Sequence, residues 1–417
     1  MYYAFDTYHF WLTILLIGVA LGAIMGTCAY LILLERKIAA WTQDRLGPNR
    51  VGPWGLFQPL ADGAKFMLKE DVIPDHVDKL FYMVAPAIAL TTALVAFVVV
   101  PFGPTDAPPE RVWPETAAQE AQADDADPGF KGKVEAYNES VPFIIAPHVD
   151  LGIVLVFAIS SLASYAIILA GWSSNNKYSL MGALRSSAQL ISYEIPLGSS
   201  VLGIALMANS LNLESIIHYQ AITGYWGIAT QPLAALMFLI SIFAECNRLP
   251  FDLPEAEQEL VGGYHTEYSA MKFALFFLGE YAHMITTSFL FVILFLGGWH
   301  FSYLATPETG GWIIKVIVFA AKMGVLLVFY MLIRWTIPRF RFDQLMGLAW
   351  KVLIPLSLVY LVCVMIVKHL GASPWWLLLT SVVLLVGTGM VTLRQQPLPG
   401  RVVTGSRRME SAESLAR

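Results

Sequence analysis

Long apolar stretches separated by short polar ones run along nearly the whole chain. Nine of them predict helices: residues 10–34, 80–101, 147–172, 186–208, 232–247, 273–297, 312–333, 351–369 and 374–393. A helix needs about 20 apolar residues to cross a bilayer, because no water is present there to satisfy its backbone. The pattern therefore predicts an all-α polytopic membrane protein of eight to nine transmembrane helices, with residues 1–393 as one helical domain. The ninth stretch follows a short turn at Gly371–Pro374 and is either a hairpin partner of the eighth or a variable addition.

A second periodicity follows the first span. Phe57, Leu60, Ala61, Ala64, Met67 and Leu68 share one helical face, with Gln58, Asp62, Lys65 and Lys69 opposite. Too short to span, this segment predicts an interfacial amphipathic helix, either a lip over a cavity reached from lipid or a plain anchor. Gly47, Pro48, Gly52, Pro53 and Gly55 before it mark successive turns. Residues 102–146 form an acidic, Pro-rich loop and residues 394–417 a polar tail; neither carries recognisable chemistry.

Composition excludes an ordinary soluble domain: 57% of the 417 residues are hydrophobic and 14% charged, against about 25% charged in globular proteins. The three cysteines, Cys28, Cys246 and Cys363, are scattered, and the eight histidines make no ligand-spaced pair. That spacing argues against a metal site, an iron–sulfur cluster or a disulfide framework in this chain, so any redox metal belongs to a partner. The first apolar run begins near Phe10 with no basic leader or small-residue cleavage site and reads as a retained helix.

Lys and Arg set the orientation. With the N-terminus outside, the inside segments 35–79, 173–185, 248–272, 334–350 and the tail hold nearly all of them, while the outside keeps little beyond Arg111, Lys131, Lys133 and Lys368. The inside then also receives the hinge 244–272, AECNRLPFDLPEAEQELVGGYHTEYSAMK. It carries Glu245, Asp252, Glu255, Glu257, Glu259 and Glu267, answered within the segment only by Arg248, His265 and Lys272. Pro250 and Pro254 forbid one continuous helix. Such a cluster is either a solvated acidic loop or a set of carboxylates that share protons to relieve repulsion.

Ionisable groups also fall inside spans. Taking the fourth span from Ser186, Glu194 lies about 12 Å along it, and Glu280 about 10 Å into the sixth, with His283 on the same face. A charge at a helix centre costs about 2.5–3.5 kcal/mol, so such groups face the protein interior and often mark ion or proton paths. The alternative is a hydrogen-bonded acid that only joins helices. Lys322, mid-span in the seventh, is either a counter-charge or a snorkelling cation.

The segments ERKIAAWTQDRLGPNRVGPWGLFQPLADGAK, GWSSNNKYSLMGALRSSAQLISYE and AECNRLPFDLPEAEQELVGGYHTEYSAMKFALFFLGEYAHM resemble the H subunit of respiratory NADH:quinone oxidoreductase, complex I, over about residues 10–369. The resemblance implies a subunit without its own redox centre in a proton-translocating enzyme, joining the hydrophilic arm to the membrane arm. It implies a tunnel for ubiquinone or menaquinone, with NADH, FMN and iron–sulfur clusters only in partner subunits. Those partners are the hydrophilic quinone-site and iron–sulfur subunits, small membrane subunits and antiporter-like subunits. By motif, Arg36, Arg45, Asp62, Lys65, Arg248 and Asp252 fall to the quinone passage. Glu35, Glu194, Glu245, Glu255, Glu257, Glu259, Glu267 and Glu280 fall to a proton relay. The loop 103–140 and the ninth span fall outside the shared pattern; with the tail, the loop inclines the reading to a bacterial inner membrane.

Two other readings fit the residues: the membrane subunit of an energy-converting hydrogenase, and a stand-alone cation or proton transporter. The complete ERK to DGAK segment favours the quinone enzyme over the first. Long charged inside loops, suited to docking soluble subunits, disfavour the second. The topology is tested with single cysteines at Thr105 and Ala256. An impermeant thiol reagent is expected to label them from opposite sides of the membrane, and labelling of both from one side overturns the orientation.

Overall fold

The computed structural model describes residues 7–105, 144–145, 149–253, 260–302, 304–306 and 311–395. Most of loop 102–146, the hinge acids Glu255, Glu257 and Glu259, and the tail beyond residue 395 lie outside them. The described residues are helical apart from turns and one isolated bridge between Phe301 and Ala305.

The helices are α1 (Thr7–Thr42), α2 (Gln58–Leu68), α3 (Lys79–Val95), α4 (Gly152–Ser173), α5 (Lys177–Ala208), α6 (Leu213–Thr223), α7 (Pro232–Glu245), α8 (Ala270–Phe295), α9 (Trp312–Thr336), α10 (Phe342–His369, with a π-turn at Ala349–Leu353) and α11 (Trp376–Gln395). Seven of these are long and apolar enough to cross a membrane, and α7 and α11 are shorter apolar helices. This is an all-α polytopic membrane protein. The ninth apolar stretch becomes α11, which doubles back along α10 and also packs on α7, with Gly371 (φ 61°) in the turn.

Three helices run further than hydropathy alone predicts, among them α10, which begins at Phe342 and not at 351. α1 continues to Thr42, which carries Glu35 and Arg36 on a helix instead of in a loop. α5 begins at Lys177 because Asn176 caps it, its side-chain oxygen accepting from the Tyr178 N–H at 3.0 Å. Polar Lys177 and Arg185 hide this start from a hydropathy reading. Glu194 consequently lies about 26 Å along its helix, not about 12 Å, and α5 runs on through Pro196.

α8 is the centre of the bundle. Every residue from Tyr281 to Phe295 is buried, the mark of a helix surrounded by others rather than facing lipid. α3 and α7 lie against it, α4 and α10 complete the packing around α5, and α1 and α9 sit on the flank of α8 with much of their surface outward. Lys322 of α9 is neither a counter-charge nor a snorkelling cation. Its Nζ donates to the carbonyls of Leu296, Gly298 and His300 at 2.6, 3.0 and 2.6 Å, closing the C-terminal end of α8, and it lies 4.5 Å from the Trp226 ring centre. All three ammonium donors are used, which is how a mid-span cation is accommodated.

The hinge sits directly on α5. A Cβ at Gly182 would stand 2.8 Å from the Cα of Gly263, which itself adopts φ 62°. Gly198, on the same helix, has nothing near its missing Cβ. Gly182→Ala is therefore expected to cost about 1–3 kcal/mol through overpacking, whereas Gly198→Ala stabilises by about 0.5–1 kcal/mol. Thermal unfolding of the two variants in the same detergent measures the contrast, and equal midpoints would contradict the close hinge–α5 contact.

Candidate functional site

A cavity of about 900 Å³ opens between the C-terminal half of α1, the N-terminal half of α8, helix α2 and the end of α9. Its size falls within the usual range for ligand sites, roughly 300–1,000 Å³. Met25, Ala29 and Ile32 of α1, Phe66 of α2, and Phe273 and Phe277 of α8 make its walls apolar. α2 has no buried residue and forms one side of this opening. The cavity's polar lining comprises Glu35, Arg36, Arg45, Asp62, Tyr281 and Arg334 with Gln58. The turns before α2 hold their shape through glycine; at Gly55 (φ 76°) a Cβ would collide with the Pro48 carbonyl.

An ion pair joins α1 to α2 at this cavity. Arg36 Nη1 lies 2.7 Å from Asp62 Oδ2, while Gln58 Nε2 donates to Asp62 Oδ1 at 3.1 Å. Lys65 stands 3.9 Å from the same carboxylate on the exposed outer flank and does not line the cavity.

Glu35 is buried at the deep edge. It accepts from the Tyr281 hydroxyl at 2.5 Å, pairs with Arg334, and lies 3.7 Å from Arg248 Nη1. Arg248 covers the Tyr281 ring at 4.3 Å and extends its Nη2 to 3.9 Å from Glu280 Oε2. Glu280 belongs to a second, smaller cavity of about 60 Å³, room for a few waters. Glu194, Glu245, Glu280, His283 and Tyr264 line it, with the hydroxyls of Ser160, Ser161 and Ser164 on α4. Tyr264 donates to Glu280 Oε1 at 3.1 Å, and His283 Nε2 stands 3.1 Å from Glu245 Oε1. Glu280 is well enclosed, but Glu194 is exposed on the outward flank of α5, contrary to the expectation of two buried glutamates.

The hinge acids that the structure describes are not left to repel one another. Asp252 pairs with Arg339 at 3.0 Å, Glu245 with His283, and Glu267 accepts from Asn176 Nδ2 at 2.7 Å. Each partner comes from another element, which inspection of the hinge alone does not reveal. Lys272, expected to answer the hinge, pairs instead with Asp71 at 2.7 Å. Burial lowers the pKa of His265 to about 4, so its ring is neutral at neutral pH. Glu267 and Asp252 line neither cavity. Among the described residues no three His, Cys, Asp or Glu side chains gather as a metal site, and none of the three cysteines forms a disulfide.

Sequence reasoning misses Tyr281, Arg334, Tyr264 and the serines of α4. Arg334 stands out in the sequence only as one of the inside charges. Tyr281 directly follows Glu280, and that adjacency is its one local signal.

A polytopic helical membrane protein in which an apolar-walled cavity abuts a buried arginine–carboxylate cluster is the class defined here. The sequence profile of the family described as NADH dehydrogenase matches residues 14–365. The H subunit of the NADH-quinone oxidoreductase of Leptospira biflexa is 46% identical over 345 residues, 80% of this chain and 88% of that protein. An H subunit of the same oxidoreductase from Geobacter metallireducens is 44% identical over 336 residues, 81% and 90% of the two chains. The NADH-quinone oxidoreductase subunit 8 of Rhodothermus marinus is 40% identical over 365 residues, 84% and 96%. The chain belongs to the NADH dehydrogenase family, in its H-subunit branch, and is an integral membrane subunit of an oxidoreductase complex.

Proposed function

We infer that the large cavity receives a quinone, and that its reduction is coupled to proton translocation through Arg248 and the smaller cavity. The observation that carries this reading is the position of one guanidinium, 3.7 Å from a carboxylate at the first cavity and 3.9 Å from a carboxylate at the second. The apolar wall suits an isoprenoid tail. The polar lining, with Arg36, Arg45, Asp62, Tyr281 and Arg334, suits a head group that gains negative charge and takes up two protons. At about 4 Å and an effective dielectric of about 20, two unit charges interact by about 4 kcal/mol. A charge appearing near Glu35 therefore changes the pull that Arg248 exerts on Glu280, enough to decide which of two nearby carboxylates holds a proton.

From Glu280 the path runs through the small cavity to Glu245 and Glu194, and we assign the hinge acids Glu255, Glu257, Glu259 and Glu267 to feed it. Lys65 and Asp252 support the passage from outside its wall, the former beside Asp62 and the latter through Arg339. The electron carriers, FMN and iron–sulfur clusters, belong to partner subunits docked on the inner face, and antiporter-like subunits complete the pump. The membrane is a bacterial inner membrane with the N-terminus outside.

Two experiments test this in the assembled complex. Arg36→Ala is expected to slow quinone reduction by about tenfold, the loss of one charge-assisted hydrogen bond of about 1.5 kcal/mol or more. NADH oxidation by an artificial hydrophilic acceptor should be unchanged, and equal loss of both activities would make Arg36 structural. For the proton path, a Glu194→Gln, Glu280→Gln double variant keeps shape but removes two titratable protons. Turnover and pumping should fall nearly as far as in the alanine variants, and normal pumping rules the relay out.

A further inference from the structure

His283 has a place in this geometry and, in the proton path just described, no role. It lies on α8 one turn beyond Glu280, is 9% exposed, and its Nε2 is 3.1 Å from Glu245 Oε1 on α7. The titratable groups that face this pair across the small cavity are Glu280 on the same helix, Glu194 on α5, Cys246 at the end of α7, and Tyr264 from the hinge. α3 and α4 present alanines, Ile167 and serine hydroxyls there. A histidine that served only to hold a carboxylate in place needs one hydrogen bond and close packing. This one borders space for water that Glu194 and Glu280 also line. An imidazole can gain or lose a proton near neutral pH, and it has two distinct ring nitrogens through which to do so.

We propose that His283 and Glu245 hold one proton in common and form the station through which it passes between Glu280 and Glu194. The proposal rests on the proton-path reading above and adds a carrier to it. The pair begins as a neutral ring beside a carboxylate, with net charge −1. A proton released from Glu280, whose O–H bond breaks, crosses the cavity water and is taken up by the pair, which becomes neutral whether the proton sits on nitrogen or on oxygen. It then leaves through water to the Glu194 carboxylate, where a new O–H bond forms, and the pair returns to its starting state. No oxidant or reductant takes part in this step. His283 is a proton carrier here, distinct from the groups that line the large cavity.

The test uses the assembled complex in sealed vesicles, with NADH-driven proton uptake and quinone reduction measured together across a range of pH. His283→Gln retains a donor towards Glu245 but carries no exchangeable charge. Pumping is expected to fall about tenfold or more, the scale of losing one positioned acid–base group, and the pH profile of turnover should change shape. Because the two residues act as one station, His283→Gln combined with Glu245→Gln should be no slower than the worse single variant. Pumping within about twofold of wild type for His283→Gln overturns the proposal, as do losses that multiply in the double variant. If His283→Gln does not assemble, His283→Gly assembled in the presence of imidazole takes its place. Loss of pumping when imidazole is washed out, and its return on re-addition, supports a carrier; pumping that survives the wash overturns it. Normal pumping by His283→Gln alongside loss in the Glu194→Gln, Glu280→Gln variant defeats only the station, whereas normal pumping by that double variant defeats the path itself.

Discussion

A guanidinium withdrawn from water is expensive unless carboxylates and a ring face replace its hydration. Arg248 meets that requirement with Glu35 on α1, Glu280 on α8 and the face of Tyr281. Arg248 and its partners come from three separate parts of the chain, so the charge cluster exists only when α1, α8 and the hinge are docked together. The apolar packing of α8 among its neighbours is what holds these groups within 4 Å. Removing Arg248 would leave two enclosed carboxylates without their shared counter-charge. Such a cluster is a weak source of stability, since buried ion pairs seldom exceed their own desolvation cost, and it is the contact through which the proposed coupling would pass.

The two cavities differ in a way that suits their separate tasks. The larger has long apolar walls, with charge confined to one side. The smaller is lined by carboxylates, a histidine and hydroxyls, groups that order water. In the proposed function, keeping them distinct would separate the quinone site from the proton path. Side chains at the Arg248 junction connect the two.

Much of this is legible in the order of residues. The fold class follows from the length of apolar runs, and the amphipathic pattern of α2 places Asp62 beside Lys65 and opposite the apolar face. Arg36, Arg45 and Asp62 do line one cavity, and Glu194, Glu245 and Glu280 the other. What stays hidden is pairing at a distance. Arg339 lies 87 residues from Asp252, and Tyr281 lies 246 from Glu35; no local pattern encodes such contacts. The helix starts are hidden for another reason. Asn176 begins α5 within a polar segment, where hydropathy reports only the absence of apolar residues and is blind to capping.

The three carbonyls held by Lys322 give α8 two unlike ends. At its C-terminal end the chain is pinned by a cation from α9, beyond a stretch buried without interruption. Towards its N-terminal end it carries Glu280, Tyr281 and His283 beside two cavities and begins directly after the hinge. A rod fixed at one end and bordered by open space at the other responds to force by pivoting. Displacement is therefore largest where the charged groups are, and it fades along the helix towards Lys322. The helix is built as a cantilever, with its fulcrum at the three carbonyls that Lys322 holds.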